Sequence, residues 1–514
     1  MSAPSLQFSY ETQLGDLADQ LRSLLRKAFP IVAALLGGTA AWLFVGGRPG
    51  AIAFALLSAG VLLVLHVWKL AGTGLPILPM MAVQHLVAYG LPILVRHPVV
   101  QFYPPEMVSR AGFEIFLFLV SMTTGWWAAL QVVQNGRPTA HMLNIMVDQG
   151  LDGLRRIGFW LIGAATAYQA LSAVGLLDPV FALLPAGSFP IVFALVSVIT
   201  SCGLFIESML LSSGNLTGGQ RTAFWAMLAF NAIISASGFL LSATAIVLFS
   251  VAIGLFWGSG RIPWRFLAVV GCALAFLNLG KFEMRGLYWS HGEGEAPVES
   301  TTLFNMPQRY AEWVEASWTI MTGTEEKTES FWRSHQTEAS QKSGQSLLLR
   351  VNNLQNILYV IDEMDTGMVR PLGGKTYTII PALLIPRLFW PDKPRSHEGQ
   401  VMLNVHFGRQ QLESTLVTYI AWGLLAEAYG NFGPLVGSLV VGLVFGFLFG
   451  WLEKKSTIKP LLSLEGFVAF IVFVTVANSF EMVASVFITA TFQSVAPMVV
   501  IGAFLVRRVS LRPA

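Results

Sequence analysis

Two cations in the stretch IPRLFWPDKPRSHEGQ, residues 385–400, are the first candidates for chemistry in this sequence. Arg387 and Lys393 stand there among three prolines. Proline fixes φ and removes a backbone donor, so a regular helix is excluded, and we predict a stiff loop that presents both side chains. Arginine offers a planar bidentate fork and lysine a compact charge, and this combination suits a pyrophosphate group.

Three further cations extend the same hypothesis. Lys281 and Arg285 lie in LGKFEMRG, directly after a long apolar segment, and Arg350 begins RVNNLQNILYVID. The alternative is that such cations anchor the chain at lipid headgroups while their aliphatic stems stay in the apolar layer, with neighbouring aromatic residues as an interfacial belt. The sequence leaves both interpretations open.

One carboxylate, Glu427, lies in the apolar segment AEAYGNFG, residues 426–433, four positions before Asn431. A carboxylate in apolar surroundings must be paired or must have a raised pKa. As a base it could take a proton from a sugar hydroxyl, and as a partner it could hold one of the arginines. His406 is the second candidate base, because histidine titrates near neutral pH. A buried structural ion pair is the alternative interpretation of Glu427.

The chain as a whole has the composition of a membrane protein. Of its 514 residues, 54% are hydrophobic and 12% are charged, whereas soluble proteins have about 25% charged residues. The net charge of +3 lies mostly in short loops and gives no reason to expect a nucleic-acid partner. The sequence contains no phosphate-loop, dinucleotide or zinc-protease motif, which disfavours nucleotide-driven transport and zinc proteolysis.

Apolar windows that are long enough to cross a bilayer predict an all-α polytopic bundle of about twelve spans. Lysine and arginine residues collect in the loops of one side, so the positive-inside rule places both termini in the cytoplasm and the long loop region outside. The windows have the approximate limits 29–46, 50–68, 76–95, 111–133, 157–177, 189–211, 222–238, 239–257, 264–280, 434–451, 461–480 and 483–505.

These spans divide the chain into four segments. We expect a cytoplasmic N-terminal segment (1–28), an N-terminal transmembrane bundle (29–280), an extracytoplasmic loop region with the active site (281–433), and C-terminal transmembrane helices with a cytoplasmic tail (434–514). Within the loop region, residues 346–362 have the spacing of an amphipathic helix that could lie on the membrane surface. Residues 376–432 are interpreted as re-entrant or interfacial, because a span at 415–429 would reverse the orientation of the lysines that follow.

The order of these motifs resembles the O-antigen polymerase family, the Wzy-type oligosaccharide repeat-unit polymerases. The resemblance covers residues 346–437 and runs through RVNNLQNILYVID, GGKTYTIIPALLIPRLFWPDKP and AEAYGNFGPLVG, with LGKFEMRG as a weaker match upstream. The proline-rich segment is its most specific part. The sequence departs from the short Arg-to-Gly spacing motifs in periplasmic loops of some polymerases, so those residue roles are not transferred.

The resemblance implies a GT-C-like glycosyltransferase in a bacterial inner membrane, with its active site facing the periplasm. Such an enzyme joins repeat units carried on undecaprenyl pyrophosphate into O-antigen or exopolysaccharide. The resemblance implies no cofactor and no metal. The implied partners are the lipid-linked oligosaccharide, the bilayer and a polysaccharide chain-length regulator. Two alternatives stay open, an O-antigen ligase and a transporter or flippase for lipid-linked glycans.

Glu427 is the first candidate for the catalytic base and His406 the second. The candidate residues for binding the pyrophosphate and the glycan are Arg387, Arg350, Arg285, Lys393, Lys281, Tyr377 and Asn431.

Overall fold

The computed structural model describes residues 13–184, 188–289, 302–322, 352–367, 369–416, 420–479 and 481–510. Most of these residues are in helices, as predicted. In the first part of the chain the helices are α1 (Leu14–Val45), α2 (Ala51–Ala71), α3 (Ile77–His85), α4 (Leu91–Leu94), α5 (Pro98–Phe102), α6 (Pro105–Val132), α7 (Asn144–Ala173), α8 (Asp178–Leu183), α9 (Phe189–Ser212), α10 (Gly218–Ala236), α11 (Leu241–Ser259), α12 (Trp264–Trp289) and α13 (Met306–Thr322).

The second part of the chain continues this series with shorter helices and three long ones. A π-helical turn (Leu86–Gly90) joins α3 to α4, and a 3₁₀ turn occupies Glu413–Leu416. The helices are α14 (Leu354–Asp365), α15 (Lys375–Thr378), α16 (Ile380–Leu384), α17 (Glu398–His406), α18 (Leu424–Phe432), α19 (Val436–Ser456), α20 (Leu464–Ala477) and α21 (Ala484–Leu505).

Nine helical segments in the described part of the chain are long and apolar enough to cross a membrane. They are α1, α2, the combined segment from α3 to α4, α6, α9, α11, α12, α19 and α21. The three other predicted windows coincide with α7, α10 and α20, which do not meet the same requirement for length and hydropathy. The chain therefore folds as an all-α polytopic membrane protein, with a helix at each of the twelve predicted windows.

The predicted split of the apolar run 222–257 into two helices is confirmed. Helix α10 ends at Ala236 and α11 begins at Leu241. The turn between them includes Phe239, which has a φ of +57° although it is not glycine. This buried ring packs against Trp313 and stacks on Tyr288, with ring centroids 5.2 and 5.6 Å away.

A two-stranded antiparallel sheet was not predicted. Strand β1 (Thr139–Leu143) follows α6, and strand β2 (Val506–Ser510) follows α21. Thr139 pairs with Ser510 and Leu143 with Val506. A five-residue strand next to a long apolar helix leaves little periodic signal in the sequence, which explains why it was missed.

The helices form two compact units. Among the described residues, the first contains 145–184, 188–289 and 302–322, and the second contains 13–144, 352–367, 369–416, 420–479 and 481–510. In the first unit, α9 packs against α11 and α12 packs against α13, where the Trp313 indole N–H donates to the carbonyl oxygen of Leu277 at 2.7 Å. The four-segment division predicted above stays a prediction, and these units cut across it.

The second unit is built around the crossing of α6 and α19. Glycines on α19 allow its backbone to approach α6 closely: a Cβ atom added to Gly446 would lie 1.9 Å from the carbonyl oxygen of Met122. At the start of α19, Gly437 lies against the backbone of Ala428 in the same way. Close packing of small residues is typical of membrane helices, and here it fixes α18 on α19.

The loop region of the second unit contains only short helices among its described residues. Helix α18 has nine residues, which correspond to a length of about 14 Å at about 1.5 Å per residue, so it cannot cross a bilayer. The predicted amphipathic helix is present as α14. Its apolar residues Leu354, Ile357 and Leu358 are fully buried within the protein, where the helix packs against α6 and α18. The expectation that this face lies on the membrane surface is therefore wrong.

Candidate functional site

Glu427 occupies a fully buried position on α18. The helix lies between two glycines in the left-handed region, Gly423 with a φ of +80° and Gly433 with a φ of +78°. Glycine adopts this conformation without steric cost, so the chain can turn sharply at both ends. The short helix is thus held with its whole length inside the protein, apart from the partly exposed Phe432.

Two neutral donors bind the Glu427 carboxylate. The Thr376 hydroxyl donates to Oε1 at 2.7 Å, and the backbone N–H of Ala484 donates to Oε2 at 2.6 Å. Because Ala484 is the first residue of α21, the carboxylate also benefits from the positive end of that helix. The Asn431 amide completes the cluster by donating to the Thr376 hydroxyl and to the Glu427 carbonyl oxygen, both at 2.8 Å.

Glu427 has no cation partner in the part of the chain that the structure describes. Among the described residues, no lysine, arginine or histidine nitrogen lies within 4.0 Å of its carboxylate. The alternative interpretation of this residue as a buried ion pair therefore finds no partner among the described residues, and Arg350, one of the arginines considered, lies outside them. Burial raises the pKa of Glu427 to about 7, although the hydrogen bonds from Ala484 and Thr376 act in the opposite direction. A carboxyl group with this pKa can exchange a proton near neutral pH.

Four buried polar atoms on the elements that carry this cluster have no hydrogen-bond partner among the described residues. They are the Tyr377 hydroxyl and Asn431 Oδ1, together with the Ser485 and Thr489 hydroxyls on the first turns of α21. Tyr377 stacks on Phe432, with ring centroids 5.7 Å apart and an interplanar angle of 5°. Burial and the nearby Glu427 raise the pKa of Tyr377 well above its usual value, so its hydroxyl remains a donor. Such atoms are costly to leave unpaired, which makes them candidates for substrate contacts.

The proline-rich loop contains no regular helix, as predicted, but its cations face its own backbone. Arg387 donates from Nη1 to the Pro391 carbonyl oxygen at 2.7 Å and from Nη2 to that of Pro394 at 3.2 Å. The Lys393 ammonium donates to the carbonyl oxygen of Leu383 at 2.7 Å and to that of Ile385. Burial and the nearby Arg387 lower the pKa of Lys393. Both cations brace the loop, and their contact with a pyrophosphate stays a prediction.

The aromatic residues of this loop agree with the anchoring alternative. Phe389 is 75% exposed and Trp390 is 41% exposed. Aromatic side chains at this level of exposure are typical of the interface between a membrane protein and lipid headgroups. These two side chains therefore favour an anchoring role for the loop.

His406 is exposed at the end of α17, and its Nε2 lies 2.7 Å from the carbonyl oxygen of Arg370. An exposed ring held by a backbone carbonyl is a weaker candidate base than Glu427. Arg350 lies outside the described residues. Lys281 and Arg285 belong to the first unit. Arg285 donates to the Phe239 carbonyl oxygen at 2.8 and 3.1 Å, so it fixes the turn between α10 and α11.

Sequence reasoning missed two side chains of this region. Thr376 holds the Glu427 carboxylate, although nothing in GGKTYTIIP distinguishes it from an ordinary turn residue. Arg409 is partly buried between aromatic rings. Arg409 lies in the polar segment GRQQLES, directly after an apolar segment, and nothing in that position indicates a functional residue.

The geometry thus defines an all-α membrane protein with one buried carboxylate, held by neutral donors, in its loop region. Comparison of the sequence with protein-family models, with curated proteins and with solved structures finds no match.

Proposed function

We propose that this protein is a membrane glycosyltransferase that lengthens a glycan carried on a lipid pyrophosphate, at a site around Glu427. The Glu427 carboxylate is the observation that carries the proposal. It is fully buried outside the membrane-spanning helices, it has no cation partner among the described residues, and its pKa is raised to about 7. These are the properties of a group that can act as a general base at neutral pH.

The proposed reaction needs a single proton acceptor. An acceptor hydroxyl attacks the anomeric carbon of the donor sugar, and a new carbon–oxygen bond forms. The bond from that carbon to the pyrophosphate oxygen breaks, and its electron pair leaves with the lipid pyrophosphate. Glu427 accepts the hydroxyl proton. The unpaired Tyr377 hydroxyl and Asn431 Oδ1 are suited to hold the sugar hydroxyls, because buried donors and acceptors gain most from a partner.

The leaving group requires positive charge. Arg387 and Lys393 supply it from the proline-rich loop, and the negative charge that develops on the pyrophosphate is stabilised by fixed cations without reorganisation. The resemblance to Wzy-type polymerases gives the substrate class: repeat units on undecaprenyl pyrophosphate, at the periplasmic face of a bacterial inner membrane. Under this proposal both termini lie in the cytoplasm, and a chain-length regulator is a candidate partner.

An extension assay tests the proposal. The purified protein in lipid nanodiscs is incubated with a lipid-linked repeat unit, and the products are separated by size and identified by mass spectrometry. We expect a ladder of glycans that differ by one repeat unit. Transfer onto lipid A core without a ladder would identify a ligase. No new glycosidic bond with either acceptor would contradict the proposal.

A further inference from the structure

Arg409 is a further cation of the loop region, and several contacts hold it in place. It follows α17, and its backbone N–H donates to the carbonyl oxygen of Asn404 at 2.8 Å across the turn at Gly408, which has a φ of +71°. The guanidinium carbon lies 4.7 Å from the ring centroid of Tyr359 and 5.3 Å from that of Trp422. The turn and the two rings together fix the guanidinium group.

This guanidinium group has few protein partners. Its Nη1 donates to Asn356 Oδ1 at 2.9 Å, the one side-chain hydrogen bond that Arg409 makes within the described ranges. No carboxylate in those ranges lies within 4.0 Å of it, whereas Arg110 pairs with Asp365 at 2.8 Å. Burial lowers the pKa of Arg409, but a guanidinium keeps its proton at neutral pH. Arg409 is therefore a charge that the described protein leaves without a counter-ion.

The two remaining nitrogen atoms, Nε and Nη2, form one edge of the planar group. Neither nitrogen has a hydrogen-bond partner in the described ranges, and the Arg409 side chain is partly exposed. Two parallel N–H groups match the two oxygens of a carboxylate. The shape of the site therefore favours a planar anion that binds edge to edge.

The surroundings restrict the charge of that anion. The groups in contact with the Arg409 guanidinium are the rings of Tyr359 and Trp422 and the Asn356 amide oxygen, which carry no formal charge. A single guanidinium group balances one negative charge, which a carboxylate carries, rather than the several charges of a pyrophosphate. In a glycan, the planar group with one negative charge is the carboxylate of an acidic sugar.

We propose that Arg409 binds the carboxylate of an acidic sugar, such as a hexuronic acid, and that this contact selects the glycan. The proposal rests on the function proposed above, because it names the substrate class of the same loop region. Trp422 connects the Arg409 site to the Glu427 site. Its indole ring packs against Arg409, and its carbonyl oxygen accepts a hydrogen bond from the Asn356 amide at 3.1 Å. The chain then continues from Trp422 into α18, which carries Glu427.

Two matched disaccharides test the carboxylate contact. The full chain in nanodiscs is titrated calorimetrically with a glucuronic-acid disaccharide and with its carboxyl-reduced, neutral counterpart. We expect wild type to bind the acidic form at least about tenfold more tightly, or about 1.4 kcal/mol. Arg409→Lys keeps the charge without the fork and should lose most of this preference, and Arg409→Gln should lose all of it. Arg370→Gln removes an exposed arginine of the same loop region and should retain it.

Equal binding of the two disaccharides by wild type would overturn the proposal, as would a preference that survives in Arg409→Gln. Tighter binding of inorganic pyrophosphate than of the acidic disaccharide, lost in Arg409→Gln, would overturn it as well. Thermal unfolding checks that each variant is folded, and Arg409→Lys serves as the test where Arg409→Gln does not fold. A wild-type protein that extends neutral and acidic glycans equally would remove this selectivity but leave the proposed transferase intact.

Discussion

Glu427 and Lys393 are both buried charged residues, but the protein uses them differently. The Glu427 carboxylate accepts from a hydroxyl and a backbone N–H and has no counter-ion in the described ranges. The Lys393 ammonium donates to two backbone carbonyl oxygens of its own loop. The Glu427 carboxyl group can therefore change its protonation state. The Lys393 ammonium group, by contrast, is bound by backbone carbonyl oxygens and holds its loop in place.

The sequence predicted the burial of Glu427 but could not predict its partners. Its apolar neighbours in AEAYGNFG indicate the burial directly. Thr376 is 51 positions away and Ala484 is 57 positions away, and such contacts depend on how the helices pack. The orientation of the Arg387 side chain could not be predicted either, because the prolines restrict the backbone of the loop but do not determine which way its side chains point.

Replacement of Lys393 by methionine tests its bracing role. The carbonyl oxygens of Leu383 and Ile385 would lose their donor, and a buried unsatisfied carbonyl costs about 1–3 kcal/mol. We expect Lys393→Met to unfold at a lower temperature than wild type, measured by tryptophan fluorescence in detergent. Lys375→Met is the matched control, because Lys375 is exposed in the same loop region. Identical unfolding temperatures for the two variants would show that Lys393 is not a brace.

At the scale of elements, the crossing of α6 and α19 holds the second unit together. Gly442, Gly446 and Gly450 on α19 face the backbone of α6, and an added Cβ would lie 1.9–2.8 Å from its carbonyl oxygens. Apolar windows predicted both helices, because bilayer thickness determines their length. The crossing itself was not predictable, since glycine at every fourth position also occurs in helices that face lipid.

Substitution of Gly446 by alanine should separate α6 from α19. The added methyl group has no room beside Met122, and overpacking costs about 1–3 kcal/mol, or more where backbone must move. We expect a lower unfolding temperature and less folded protein, measured by size-exclusion chromatography with fluorescence detection. Gly37→Ala on α1 meets nothing within 4 Å and should leave both quantities unchanged. Normal folding of Gly446→Ala would contradict the packing described here.

At the scale of the whole molecule, the distribution of lysine and arginine predicts the side of the membrane on which each loop lies. Asn135 follows α6 and Ser396 lies in the proline-rich loop, and both residues are exposed. The positive-inside rule places the first in the cytoplasm and the second outside. The all-α class could be predicted from composition and the length of the apolar windows, whereas the division into two compact units depends on packing between distant parts of the chain.

Cysteine labelling in intact cells tests this orientation. After Cys202 and Cys272 are replaced by alanine, Asn135→Cys and Ser396→Cys are introduced separately. A membrane-impermeant maleimide should label Ser396→Cys in intact cells and Asn135→Cys only after the membrane is made permeable. Labelling in the opposite order would reverse the orientation and would place Glu427 on the cytoplasmic side.

The pH dependence of glycan extension by wild type and Glu427→Gln tests the central claim most directly. A base must be deprotonated to act, and burial raises the pKa of Glu427 to about 7, so the wild-type rate should rise with pH through about 7. Glu427→Gln should lose about 100-fold or more in rate, and its residual rate should not depend on pH in this range. Glu453→Gln, which replaces a buried carboxylate elsewhere in the second unit, should keep the wild-type profile if it folds. Extension by Glu427→Gln at the wild-type rate and with the wild-type pH profile would contradict the account.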